Sequence, residues 1–534
     1  MRRIDQAIVL ALLPTLAFAV SACGNLLGFS TTAWGLAGAL AGAGGYAGWR
    51  RCGWRLPMAF VACALLWGTF KLADSEWDGK AIHKPGAIAL AGGWNPVWKA
   101  LPHRAEGDAG WAWCEYYPKA AWHVNAELLR ATGNVDLGDG IPLIWAGVVF
   151  CLGLGVLPWL YGLGPKGTYL FSALLACNPV LLRELCSGYV DGQLGCSLVA
   201  GLLAFSAYAR RPEGRLLLLS GLCCVYGANL KFTGLVYFGV GYALLGSVAL
   251  WRHFKPSRLG WMAVLALATL LCGTTPYLTN WMRYGSPFYP LHAFSEDATL
   301  RNNEVLHQWL TPEGIETSRW RLAGESLINP VPDLNRFFSR RDIALVPPLP
   351  FKLALALTLA AVLIRRKGDL FSGSLLLTIL IQPAFWHFRY IPQLWALPLA
   401  LAATERRLRR PVALLAACAL ITPAIELAQP LWTMTLRACE LERIFGGNSY
   451  QWHASTSAYG HEQEFDTYWL NWLASAGIPL ADRLASIPSD RHADFWCIDL
   501  RLYSAPPDKL PPPANPLAAL LRLRARQLHW AWSR

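Results

Sequence analysis

Charge is what this sequence has least of. Only 15% of its 534 residues are charged, while 54% are hydrophobic. Soluble domains carry about 25% charged residues, so composition excludes an ordinary water-soluble globule. The 14 cysteines contain no Cys-x-x-Cys pair, which argues against a thiolate zinc site. There is also no internal repeat and no low-complexity tract, so neither a solenoid nor a biased disordered chain fits.

What the chain does have is apolar runs of bilayer length. About thirteen occur, near 7–29, 31–49, 56–73, 141–162, 167–186, 192–209, 214–230, 234–251, 259–280, 350–365, 369–386, 390–404 and 411–430. The expected fold is an all-α polytopic membrane protein with about 13 transmembrane helices. Short interfacial helices are expected in its outward loops.

Orientation follows from the basic residues. If Met1-Arg2-Arg3 is cytoplasmic, each inward loop carries Lys or Arg: Arg50 to Arg55, Lys166, Arg210-Arg211 with Arg215, Arg252 to Arg258, Arg365-Arg366-Lys367 and Arg406 to Arg410. That is the positive-inside pattern. Most of the +13 formal charge is therefore topological, and no nucleic-acid partner is expected. An odd number of spans puts the N-terminus inside and the C-terminus outside. Residues 1–55 then hold two N-terminal spans and 56–430 a membrane core. Large outward segments fall near 74–140 and 281–349, and 431–534 is an outward tail.

Most cysteines lie within spans, where Cys behaves as a small apolar residue. Cys114, Cys439 and Cys497 fall clearly outside, and Cys439–Cys497 is the candidate bridge. Val20-Ser21-Ala22-Cys23 looks like a lipoprotein cleavage site, but a first transmembrane helix is the preferred reading.

The densest chemistry follows the third run. Asp74, Glu76 and Asp78 are spaced two apart, with His83 beyond them. Crowded carboxylates raise one another's pKa, which suits a general base or a divalent-metal site; a solvated loop edge is the plain alternative. Trp94, Trp98, Trp111, Trp113, Tyr116, Tyr117 and Trp122 crowd the same segment. Such rings anchor in headgroups or stack on sugars. Lys231 and Arg389 sit on the outward side against the charge trend, and ionisable residues at that depth imply a partner. Snorkelling is the alternative for both. Arg183-Glu184 reads as a local ion pair, Tyr189-Val190-Asp191-Gly192 as an acceptor-site lining, and Arg283 as an interface anchor.

Trp77-Asp78-Gly79-Lys80-Ala81-Ile82-His83-Lys84-Pro85 resembles the first outward loop of bacterial GT-C glycosyltransferases, in the branch of glycosyltransferase family 39 and the protein mannosyltransferases. That branch carries Trp-Asp-x-x-x-Tyr-His-x-Pro. Tyr117-Pro118-Lys119, Asn229 to Gly234, Ser286-Pro287-Phe288-Tyr289-Pro290 and Arg389-Tyr390-Ile391-Pro392 follow in the family's order, over roughly residues 56–405. Ile82 replaces the family's Tyr, Ser286 replaces its Asn, and two extra spans precede the acidic loop.

The resemblance implies inverting transfer of a sugar from a polyprenyl-phosphate donor to a lipid, glycan or protein acceptor. The enzyme would sit in a bacterial inner membrane, among membrane lipids, with its site open to the periplasm. Asp78 would be the base, while Asp74 and Glu76 tune it or hold a divalent metal. His83 would orient the base or touch phosphate. Lys231, Arg389, Tyr117, Lys119, Asp191 and Tyr390 would bind substrate.

Two rivals stand beside this reading. A polymerase or ligase using a lipid-diphosphate donor would draw on Arg301, His307, Arg319, Arg321, Arg336, Arg340 and Arg341. A lipid-linked glycan transporter would line its spans with charges.

Overall fold

The computed structural model describes residues 2–30, 34–71, 79–101, 114–185, 187–253, 256–289, 349–365, 369–382, 388–421 and 423–424. Short pieces at 452–454, 492–495 and 500–503 complete it. Helix forms at every apolar run, because backbone in lipid must satisfy its own N–H and C=O groups. α1 (Arg2–Leu26), α2 (Trp34–Arg50) and α3 (Arg55–Phe70) precede two short helices, α4 (Lys84–Ala91) and α5 (Ala120–Thr132). α6 (Ile141–Tyr161), α7 (Pro165–Ala176), α8 (Pro179–Glu184), α9 (Asp191–Arg210), α10 (Gly214–Gly227), α11 (Phe232–His253), α12 (Pro256–Cys272) and α13 (Thr279–Tyr284) follow. α14 (Leu349–Arg365), α15 (Leu370–Leu380), α16 (Ala396–Thr404) and α17 (Arg409–Ala419) complete the helices of the described residues.

Among the described residues, four stretches are long and apolar enough to cross a bilayer alone: Arg2–Leu26, Leu137–Tyr161, Asp191–Arg210 and Phe232–His253. A fifth is added if Leu259–Cys272 and Thr274–Tyr284, bent by 70°, form one broken span. The remaining runs make shorter helices. The run near 167–186 divides at Asn178-Pro179 into α7 and α8. There the Asn178 side chain accepts from the Val180 N–H at 2.9 Å, and Pro179 needs no donor partner at the first helical position. The chain is thus a helical, multi-pass membrane protein.

The C-terminal region adds three short strands to the described residues. Its strands β1 (Trp452–Ala454), β2 (His492–Phe495) and β3 (Leu500–Tyr503) form an antiparallel sheet in the order β1-β3-β2. Trp452 pairs with Leu502, and His492 pairs with Tyr503.

Charges gather at helix ends. Asp5, at the start of α1, accepts from Tyr46 at 2.9 Å, Arg50 at 3.3 Å and Arg215 at 3.0 Å. Asp369 accepts from the Tyr161 hydroxyl at 2.5 Å, with Arg210 at 3.7 Å. Arg409 donates to the Tyr161 carbonyl at 2.6 Å. Arg50, Arg210, Arg215 and Arg409 all come from loops that the basic pattern assigns to one side. Exposed tryptophans mark helix ends too: Trp34 and Trp49 on α2, Trp54 before α3 and Trp251 on α11. Indoles at that level are where membrane–water interfaces favour them. α1 packs along α2, α6 and α10, and α9 packs against α6, α10 and α11.

Candidate functional site

Asp191 opens α9 and is buried. Lys231 lies in the turn between α10 and α11, and Arg389 in a tight turn over Phe388–Tyr390. All three meet. The Lys231 ammonium donates to Asp191 Oδ1 at 2.6 Å, and Arg389 Nε donates to Oδ2 at 3.0 Å. The two cations are more exposed than the carboxylate beneath them, with side chains 14% and 11% accessible against 2%. The Arg389 guanidinium lies 3.8 Å from the Tyr189 ring centre, and the Lys231 ammonium lies 4.7 Å from that of Tyr390. Tyr237 holds the turn from below, donating to the Tyr390 carbonyl at 2.7 Å.

Glu184 makes no ion pair with Arg183 in this arrangement. Its Oε2 accepts the Gly192 N–H at the start of α9, where a carboxylate complements the helix dipole. Trp67 of α3 donates from its indole to the Leu185 carbonyl at 2.7 Å, tying the end of α3 to the same segment.

His83, Tyr117 and Lys119 form a neighbouring aromatic box. The Trp122 indole donates to His83 Nδ1 at 2.9 Å. An indole is only a donor, so Nδ1 accepts and the neutral ring keeps its proton on Nε2. Tyr117 stacks on Trp122 with ring centres 5.8 Å apart, and His83 stands edge-on to Tyr117 at 5.3 Å. Lys119 is buried and donates to the Glu115 and Tyr117 carbonyls, each at 2.8 Å. It also lies 5.5 Å from the ring centres of Trp94 and Trp122. Burial lowers the Lys119 pKa to about 7. The box adjoins the Asp191 group: the Ala120 N–H donates to the Asn229 carbonyl at 2.9 Å, and Tyr117 packs on Phe232.

His83, Tyr117, Lys119, Asp191, Lys231, Arg389 and Tyr390 therefore converge from five parts of the chain. Asp74, Glu76 and Asp78 lie outside the described residues, as do the 301–341 basic set, Cys439 and Cys497. The buried Cys114 thiol donates to the Ile82 carbonyl at 3.2 Å. Cys23 lies inside the continuous helix α1. Among the described residues no three His, Cys, Asp or Glu side chains cluster as metal ligands.

Two sets of residues escaped the sequence reading. Arg283 is more than an anchor, since it donates to Glu115 at 3.1 Å and to the Val97 carbonyl at 3.0 Å. Lys71, Lys84, Asp136 and Asp139 form a buried charge cluster. Its only signal was two lysines on the outward side and two aspartates just before the 141–162 run. Comparison of the chain with protein-family models, curated proteins and solved structures returns no match.

Proposed function

We propose that the chain is an integral membrane glycosyltransferase of the GT-C type. It moves a sugar, with inversion, from a polyprenyl-phosphate donor to a lipid, glycan or protein acceptor on the periplasmic face of a bacterial inner membrane. One observation supports this above the rest: Lys231 and Arg389, the two outward cations, share the buried Asp191, and their side chains are more accessible than its own. A carboxylate behind two cations holds them in place for an anion arriving from the open side. Arg suits forked phosphate contacts and Lys a point contact.

In this reading the acceptor hydroxyl oxygen attacks the anomeric carbon as the bond to the lipid phosphate breaks. Asp78 takes the hydroxyl proton, and Lys231 and Arg389 stabilise the departing phosphate anion. Asp74 and Glu76 tune the base or hold a divalent metal, His83 orients the base or touches phosphate, and Tyr117 and Tyr390 offer ring faces to the substrate. The transporter rival fits less well, because the buried ion pairs of the described residues lie at helix ends rather than along spans.

The test is turnover of polyprenyl-phosphate sugars in membranes carrying wild type, Asp78→Asn or Arg389→Gln at equal protein level. Loss of transfer in both variants, with donor binding kept in Asp78→Asn and weakened in Arg389→Gln, is expected. No donor consumption by wild type across a panel of such sugars would sink the reading. Consumption of lipid-diphosphate sugars instead would favour the polymerase or ligase.

A further inference from the structure

Lys71 is the residue after α3, and Lys84 is the first residue of α4. Between them lie residues 72–83, including Asp74, Glu76 and Asp78. A segment of that length can reach about 40 Å when extended. Instead its two ends meet at one carboxylate. Lys71 donates to Asp139 Oδ2, and Lys84 donates to both Asp139 oxygens at 2.7 Å. Lys84 also donates to the Val135 carbonyl at 2.9 Å and lies 3.5 Å from Asp136. All four side chains are 2% exposed or less.

The backbone is shaped for this meeting. Asp139 sits in a tight turn over Leu137–Gly140 that presses on α3. A Cβ on Gly68 would stand 2.5 Å from the Leu137 carbonyl oxygen, and one on Gly140 would stand 2.0 Å from that of Ala64. Only hydrogen fits at either place, so glycine lets turn and helix approach until Asp139 reaches Lys71. Asn134 fastens the contact by donating to the Gly68 carbonyl at 3.1 Å.

Among the described residues, two lysines stand against two aspartates, a formally neutral set. Buried pairs of this kind add little net stability over apolar packing, and their best-attested use is to specify one arrangement. Trp67, one turn before Lys71, is itself bonded to Leu185, six residues before Asp191. The cluster therefore sets where the segment leaves α3 relative to the Lys231–Asp191–Arg389 group.

We propose that Asp139 is a positioning residue, which clasps the end of α3 to the start of α4 and so holds His83, the residue before Lys84, in the aromatic box beside the Lys231–Asp191–Arg389 group. This rests on the glycosyltransferase reading for its consequence, but the clasp can be tested without turnover. The experiment compares full-length wild type with Asp139→Asn and Lys71→Gln in detergent, by amide hydrogen exchange and by steady-state transfer. Asp139→Asn should speed exchange across residues 79–91 at least tenfold while leaving 191–210 unchanged. Its kcat should fall about 100-fold, with the donor KM within threefold. Lys71→Gln, which leaves Asp139–Lys84 intact, should show smaller changes of the same kind, and it carries the test if Asp139→Asn does not fold. Unchanged exchange at 79–91 in a folded variant would overturn the clasp, as would a rise spread over the whole protein. If exchange responds as expected but wild type transfers nothing, the clasp stands and the glycosyltransferase reading falls.

Discussion

Arg389 and Asp191 meet at 3.0 Å although 198 residues separate them. Lys231 reaches the same carboxylate from 40 residues away. Asp191→Asn would leave two cations beside a neutral amide, in a place where one carboxylate now serves both. Breaking one side of a buried pair destabilises by about 3–5 kcal/mol. We expect thermal melting in detergent to fall clearly, and transfer per folded molecule to drop at least 100-fold. Unchanged transfer with reduced stability would confine Asp191 to a structural role.

Trp122→Phe removes the donor that fixes the His83 ring while keeping an aromatic group under Tyr117. An unsatisfied buried acceptor costs about 1–3 kcal/mol. Melting should fall by that order, and transfer by about tenfold as the imidazole loses its fixed orientation. Transfer equal to wild type would remove His83 orientation from the mechanism.

Glu127 offers a prediction in pH. Its carboxylate points at the Gly35 and Leu36 amides at the start of α2 and lies beside Ser21, yet neither oxygen makes a well-formed hydrogen bond. Burial raises its pKa to about 8. The folded state then holds a proton that the unfolded state releases above about 4.5, so stability falls as pH rises from there to about 8. Glu127→Gln should flatten melting temperature against pH in that window, and a slope equal to wild type would refute the assignment. Gly35→Ala should destabilise at every pH, since its Cβ would stand 2.0 Å from Glu127 Oε1 and 2.5 Å from the Ala17 carbonyl oxygen.

Lys119 works in the opposite sense. With its pKa lowered to about 7 by burial, the unfolded state binds the extra proton between about 7 and 10.5. Stability contributed at this site therefore rises with pH across that window and is least below it. Lys119→Met loses two hydrogen bonds to carbonyls at any pH. Its destabilisation relative to wild type should thus be larger at pH 9 than at pH 6, by on the order of a few kcal/mol. A gap independent of pH would show that the ammonium stays charged throughout.

The apolar runs and the alternation of basic loops were legible because they answer to one-dimensional constraints. Lipid demands internally bonded helices wherever a long apolar run occurs, and charge sorts the ends of those helices. Lys231, Arg389 and Asp191 could be singled out by the same logic, as charges near membrane depth that need partners. Which charge partners which was decided by the packing of α9, α10 and the Phe388–Tyr390 turn. Sequence separations of 40 and 198 residues leave no local trace of that. Arg183-Glu184 shows the reverse case: adjacency suggested a pair, but the start of α9 drew Glu184 away with the Gly192 N–H. Asp139 is the clearest residue that only tertiary structure revealed. Lys71 and Lys84 flank the acidic segment openly, but their convergence depends on Gly68 and Gly140 letting a turn settle against α3. The order of residues alone determined that this is a helical membrane protein with its charges at helix ends. Close approach of backbones brought those charges together in buried clusters, because ion pairing is set by distance in space.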